Sequence, residues 1–187
     1  MNSTSLALVK IFMLVALHHG YLPDSFNVSI VNPIPKGGVT NEPSDFRPIS
    51  VSNSFATILE VLLLGKMDCF NQIHVNQFGY KRNLSCKHAY FIVNETINYY
   101  RQNGSKLHVV FLDASKAFDK LLRDGLFLKL INRIPDELRR ILYKYYRISK
   151  IIVKYDNELG DMLESTEGVK QGGILSPYLL IFSSTNY

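Results

Sequence analysis

Asp113 ends the apolar run VVFL, and Asp119 follows six positions later, directly after Phe118, in the stretch VVFLDASKAFDK. A carboxylate at the end of a buried strand either meets a ligand or cation or caps the turn that follows. A hard cation such as Mg²⁺ takes oxygen ligands and keeps substrate phosphates in its shell, so one or two rigidly placed carboxylates suffice on the protein side. Two-metal phosphoryl transfer asks for more. It needs carboxylates on neighbouring strands, so that one ion activates the attacking oxygen and the other steadies the leaving group.

The elements around this stretch read as α+β. KLHVVFLD is a continuous apolar run, the pattern of a central strand covered on both faces and ending at Asp113. The first 25 residues predict a helix that stops at Gly20 and Pro23, and NVSIVNPIPKGG alternates like a strand that stops at Pro33, Pro35 and the glycine pair. NEPSDFRPIS reads as a proline-punctuated loop. SFATILEVLLLGKMDCF and KHAYFIVNETINYYRQN carry apolar residues at helical spacing, and the second pattern ends at Gly104. DGLFLKLINR and DELRRILYKYY predict two more helices, the first packed on the sheet of KLHVVFLD. KIIVKYD is a strand by its β-branched content. In EGVKQGGILSPYLLIF the glycine pair loosens the backbone, and Ser176 with Pro177 has the signature of a helix start.

Composition bounds the function classes. With 187 residues, 47% of them hydrophobic, the chain can bury a core, which excludes a disordered tail. The formal charge of +5 is unevenly spread: from Leu138 to Tyr155 there are six basic residues, no acidic one and four tyrosines. Such a segment is either a solvated face or a surface for a nucleic-acid backbone. The run LALVKIFMLVALHHG is too short to span a bilayer, holds Lys10 inside it, and lacks both a preceding basic residue and a cleavage pattern. With only Cys69 and Cys86 as cysteines, these features give the expectation of an intracellular protein, nuclear or cytoplasmic, not secreted and with no membrane partner.

Five blocks in series resemble the reverse transcriptase domain of non-LTR retrotransposons: PIPKGG with SDFRPIS, ILEVLLLGKM, NQFGYKRNLSCKHA, VVFLDASKAFDK and EGVKQGGILSP, over residues 7 to 178 or so. The resemblance implies a partial right-hand polymerase, with fingers and flanking helices at about 1–105, an incomplete palm at about 106–187, and no thumb. It implies an RNA-directed DNA polymerase acting on an RNA template, a DNA primer and a dNTP, with Mg²⁺ or Mn²⁺ as cofactor. By the same resemblance Asp113 is the catalytic metal ligand, with the backbone carbonyl of Ala114 beside it. Phe118 closes over the sugar and disfavours a ribose 2′-hydroxyl. Lys36 and Arg47 reach the triphosphate, and Gln171, Gly172 and Gly173 form the loop beneath the nascent base pair. Lys170 stands where many relatives carry Pro, and its charge is expected to add to a basic lining. The basic segment, through Arg139, Arg140, Lys144 and Arg147, would follow the nucleic-acid backbone. Asp119 is expected to have a structural hydrogen-bonding role.

The family's other essential carboxylates come as an adjacent Asp pair on a hairpin after the LSP block, and this sequence contains no Asp-Asp pair. Two functions therefore fit: a truncated RNA-directed DNA polymerase domain, inactive in this form, or a non-catalytic nucleic-acid-binding remnant.

Overall fold

The computed structural model describes residues 3–38, 42–70, 74–81 and 83–184. The chain is a mixed α+β protein that divides into two compact units, Met1–Phe70 with Lys116–Tyr187, and Asn71–Ser115.

The first unit contains a four-stranded sheet of order β2-β1-β3-β4. Its strands are β1 (Val28–Pro35), β2 (Phe46–Ser52), β3 (Lys150–Tyr155) and β4 (Glu158–Glu164). β1 is antiparallel to β2 and parallel to β3, and β3 and β4 form a hairpin. β2 and β4 differ from the sequence-based expectation, which held no strand at either place. β2 occupies part of the expected proline loop, and β1 continues through Pro33 to Pro35. Prolines survive here because no ladder bond is asked of them. Ser50, two residues after Pro48, turns its N–H away from β1 and donates to the Gln171 carbonyl at 2.7 Å, so Pro48 faces outward by the same alternation. Pro33, opposite Pro48, lies beyond the Val28–Val31 stretch that pairs with β3. β4 is a strand by pairing alone. Its sequence ELGDMLE lacks apolar alternation and all seven residues are exposed, but the Asp156–Asn157 turn, with φ of 47° and 65°, folds it back on β3.

Helices α1 (Ser3–His19), α2 (Ser54–Met67), α4 (Arg123–Lys129), α5 (Asp136–Arg147) and α6 (Ser176–Ser184) surround one core. Asn53 starts α2 by accepting from the Ala56 N–H at 2.8 Å, which satisfies one of the free amides of the first turn. Leu59, Leu63 and Met67 of α2, Leu126 of α4, Ile141, Leu142 and Tyr145 of α5, and Leu179 of α6 are all buried, at the spacing expected of faces turned inward. α4 packs on α6, and α1 packs on α5 through a face that includes Met13 and Ala16. Among the described residues, no helix is long and apolar enough to cross a membrane.

The second unit contains α3 (Cys86–Gln102), capped by reciprocal contacts between Ser85 and His88, and none of its residues is buried. Here the largest departure from expectation occurs. Residues 105–114, which include the KLHVVFLD run, have no regular structure, and Val110, Phe111 and Leu112 are 80%, 81% and 95% exposed. A strand exists only as part of a ladder, and among the described residues no strand pairs with this segment. Asp113 therefore does not end a central strand, and α4 has no such sheet to pack on.

Candidate functional site

The loop from Ser165 to Leu175, between β4 and α6, is held from two sides by buried charges. Arg123, 8% exposed, threads its guanidinium into backbone oxygens: Nε donates to Gly168 O at 2.7 Å, Nη1 to Tyr146 O at 2.9 Å and to Ser165 O, and Nη2 to Glu167 O at 2.9 Å and Ser165 Oγ at 2.7 Å. Burial pulls its pKa below the ordinary value, against the raising effect of Tyr146 and Glu167. The planar fork suits this task because it satisfies several carbonyls in fixed directions.

On the other side lie Glu60 of α2 and Lys170 of the loop, 2% and 6% exposed. Glu60 accepts from the Tyr145 hydroxyl at 2.6 Å and from the N–H groups of Ile174 at 2.7 Å and Leu175 at 3.3 Å. Lys170 Nζ donates to Asn27 Oδ1, to Ser52 Oγ at 3.0 Å and to the Tyr145 hydroxyl at 3.3 Å, with its ammonium 5.2 Å from the Tyr145 ring centre. Asn27 in turn donates to Tyr145 O at 2.5 Å. Desolvation pushes Lys170 down to about 8, with Glu60 opposing and Arg123 reinforcing the shift. The Tyr145 hydroxyl moves the other way, upward, chiefly through burial and then through Glu60. Lys170 thus does not add to a basic lining. A lysine at this position is drawn inward because it finds three acceptors there.

The glycines between these anchors are set by close approach. A Cβ on Gly172, whose φ is +107°, would lie 2.9 Å from Ser50 O. One on Gly168, with φ +70°, would lie 2.6 Å from Asp119 O and 2.7 Å from Phe118 O. The loop is in fact bonded to the turn after the VVFLD run: Val169 N–H donates to Phe118 O at 2.8 Å and Gly168 N–H to Leu121 O at 2.9 Å. Together with the Ser50–Gln171 bond, these contacts join the Phe118 turn, the Gln171–Gly172 loop and the outer edge of β2.

The remaining motif residues are distributed as follows. Phe118 is half-buried against the core, and Gln171 is half-buried with Gly172 exposed beside it. Arg47 is exposed on β2, three residues before Ser50, and Lys36 is exposed just after β1, donating to Ser44 O at 2.6 Å. Asp113 and Ala114 are exposed and belong to the second unit. Asp119 is exposed, and its carbonyl faces Gly168. On α5, Arg140 and Arg147 are exposed, Arg139 pairs with Asp136 at 2.8 Å, and Lys144 lies 3.8 Å from Asp24. The tyrosines interleaved with them are split: Tyr145 and Tyr146 belong to the core, whereas Tyr143 and Tyr155 are exposed. Only two of the four tyrosines are therefore on a surface together with the basic residues. An apolar stripe on a helix of this amphipathicity must face inward, and Tyr145 and Tyr146 lie on it.

A polymerase of this kind implies a divalent metal pair. Among the described residues, no three His, Cys, Asp or Glu side chains cluster to hold a cation. Asp113, one carboxylate beside one backbone carbonyl, gives oxygen donors of the right hardness for part of one Mg²⁺ shell, and too few for two ions. The described residues alone do not fit a two-metal centre.

Sequence reasoning missed Glu60, Arg123, Asn27 and Tyr145. Glu60 did leave a signal, a lone acid inside ILEVLLL, where a charge at a core position must be paired. Arg123 left none, because its partners are carbonyls more than 20 residues away in sequence.

A family model described as "Reverse transcriptase (RNA-dependent DNA polymerase)" matches residues 34–184. A probable RNA-directed DNA polymerase from transposon X-element of Drosophila melanogaster is 26% identical over 165 residues, which is 85% of this chain and 18% of that relative. The retrovirus-related Pol polyprotein from type-1 retrotransposable element R2 of Popillia japonica is 25% identical over 179 residues, 94% of this chain and 25% of the relative. Its counterpart in Nasonia vitripennis is 26% identical over 190 residues, 95% of this chain and 17% of the relative. The chain thus spans a quarter or less of the length of these relatives. With five motif blocks in order, and the loop, the Phe118 turn and β2 hydrogen-bonded together, the chain belongs to the reverse transcriptase (RNA-dependent DNA polymerase) family.

Proposed function

We propose that this chain forms the nucleotide-facing part of an RNA-directed DNA polymerase, with residues of about 1–105 as fingers and about 106–187 as part of the palm. In this reading Phe118 lies against the sugar of the incoming dNTP and excludes a 2′-hydroxyl. Gln171 and Gly172 run beneath the nascent base pair. Lys36 and Arg47 approach the triphosphate, Arg47 through a guanidinium fork that matches phosphate oxygens. Asp113, with the Ala114 carbonyl, contributes oxygen donors toward a metal. Arg139, Arg140, Lys144 and Arg147 follow the phosphates of the RNA template and DNA primer.

The observation that carries the reading is the joining of three motifs distant in sequence: the 168–172 loop is bonded to the Phe118–Leu121 turn on one side and to Ser50 on the other. The chemistry then follows from shape. Gly168 and Gly172 let the loop lie against the Phe118 turn and Ser50, Gly172 is exposed beside Gln171, and Phe118 is half-buried on the turn bonded to the same loop.

The test is primer extension by a chimera that continues this chain, after Pro177, with a family hairpin carrying paired aspartates and a thumb. Template-dependent DNA synthesis is expected, abolished by Asp113→Asn. Phe118→Ala should raise ribonucleotide incorporation relative to deoxynucleotide. A folded chimera that binds primer and template yet makes no product, or whose activity survives Asp113→Asn, overturns the assignment.

A further inference from the structure

β1 and β3 run side by side only as far as Val31 and Val153, and then part. The reason is chemical. Lys150 N–H donates to Asn27 O, so the odd-numbered residues of β1 and the even-numbered residues of β3 turn their backbone groups towards each other. The next rung after Val31 would be a bond from the N–H of residue 33 to the Lys154 carbonyl, and residue 33 is a proline, as is residue 35. Beyond this point β1 continues with β2 alone and β3 with β4 alone, so the sheet forks. By the same alternation the carbonyls of Pro33, Pro35 and Lys154 face the fork, and neither proline offers a donor there. The fork is an open notch of about 670 Å³, lined by Asn32, Pro33, Pro35, Phe46, Lys154 and Tyr155, with the Asp156–Asn157 turn on its border. Phe46 and Tyr155 meet edge to face, with ring centroids 6.4 Å apart at 83°, and Tyr155 is 64% exposed. Lys154 is half-buried, and Lys36 stands exposed just past the end of β1.

We propose that this notch binds an unpaired base of a single-stranded nucleic acid and selects bases that carry an exocyclic amino group. An exposed aromatic ring stacks a base of any kind, because every base has a π-face. The carbonyls add the selection, since they accept and cannot donate. The N4 amino group of cytosine finds partners there, whereas uracil presents an oxygen, O4, at the same position. Asp156 on the border is a further acceptor for such an amino group. Rings and carbonyls by themselves would also admit a cationic side chain of a partner protein. Lys154 and Lys36 decide against that guest: they repel a cation and suit the phosphates on either side of a stacked base. The notch belongs to the sheet, and the inference does not depend on the reading of Gln171 and Gly172 as nucleotide-facing.

Fluorescence anisotropy of the 187-residue chain with fluorescein-labelled octacytidylate and octauridylate, at one fixed salt concentration, tests this without polymerase activity. Octacytidylate should bind about fivefold more tightly, the equivalent of one hydrogen bond. Tyr155→Ala should weaken octacytidylate about tenfold, the loss of one stacked base, and shrink the preference over octauridylate. Tyr155→Phe, which keeps the ring, should retain both. Equal affinity for the two oligonucleotides, binding of neither, or an octacytidylate affinity unchanged in Tyr155→Ala overturns the proposal. Binding of a labelled hexaarginine peptide that requires Tyr155, with no binding of either oligonucleotide, would overturn it too and give the notch to a cationic partner. Should Tyr155→Ala fail to fold, the wild-type comparison of the two oligonucleotides decides alone. Such a failure leaves the polymerase assignment standing, and failed extension by the chimera leaves the result at the notch standing.

Discussion

The loop at 165–175 and the segment at 105–114 both carry motif residues, and they are held in opposite ways. In the loop, Arg123, Glu60 and Lys170 account for backbone oxygens and amides one by one, and the glycines sit where only a hydrogen fits. In the segment, an apolar run stands with Val110, Phe111 and Leu112 exposed and no ladder beside it among the described residues. An apolar run demands cover without specifying what supplies it. A polar network specifies position, because each donor has a small set of acceptors within reach. The loop is thus fixed by its own chain, whereas no strand among the described residues pairs with the Asp113 segment.

The sharpest way to break this contrast is to delete one side chain from each region and compare global stability by denaturant titration. Glu60→Ala strands the Tyr145 hydroxyl, two amides and the Lys170 charge, and should cost about 3–5 kcal/mol. Leu112→Ala, at a 95% exposed position, should stay within about 0.5 kcal/mol. A cost of several kcal/mol at Leu112 would mean that the segment is covered in solution.

A finer comparison uses two glycines of nearly equal φ. Gly168 at +70° meets two backbone carbonyls within 2.7 Å of an added Cβ, while Gly104 at +69°, past the end of α3, meets nothing within 4 Å. Gly104→Ala should cost about 1 kcal/mol, the left-handed penalty alone. Gly168→Ala should cost about 3 kcal/mol, because backbone must also shift. Equal costs would show that the loop yields as freely as the helix end.

The smallest effect is in pH dependence. Lys170 releases its proton near pH 8 when folded and near 10.5 in its ordinary state. Between these values the unfolded chain binds more protons, so stability rises with pH. The gain from Lys170 should be about 2 kcal/mol between pH 7 and pH 9.5. The buried tyrosines, shifted upward, act with the opposite sign only above about pH 10, where an unfolded tyrosine ionises. Thermal melts of the wild type should show this rise, and Lys170→Met should remove it.

Much of the fold is legible from periodicity. The helices at 54–67, 86–102 and 136–147 follow apolar spacing, and β3 follows β-branched content. β2 and β4 are not legible, because both are edge strands created by pairing: one contains Pro48, and the other is exposed along its whole length without apolar alternation. KLHVVFLD fails in the reverse direction, a clear strand pattern with no strand pairing to it among the described residues. The motif blocks single out Phe118, Gln171 and Gly172, which the structure joins through backbone hydrogen bonds of their turn and loop. The residues that fix them were hidden: Lys170 reads as surface charge until Asn27, 143 positions away, is seen to receive it.

The most direct test of the account is primer extension by the unmodified 187-residue chain on an RNA template with Mg²⁺ or Mn²⁺. In the proposed function this polypeptide carries the nucleotide-facing surface and a single motif carboxylate, Asp113. In-line displacement between two ions roughly 3.5–4 Å apart needs more carboxylates than that. The predicted result is no extension, with weak, salt-sensitive nucleic-acid binding retained. Extension that disappears in Asp113→Asn would contradict it, and would mean that another carboxylate of this chain, with Asp119 the first to examine, completes the metal centre.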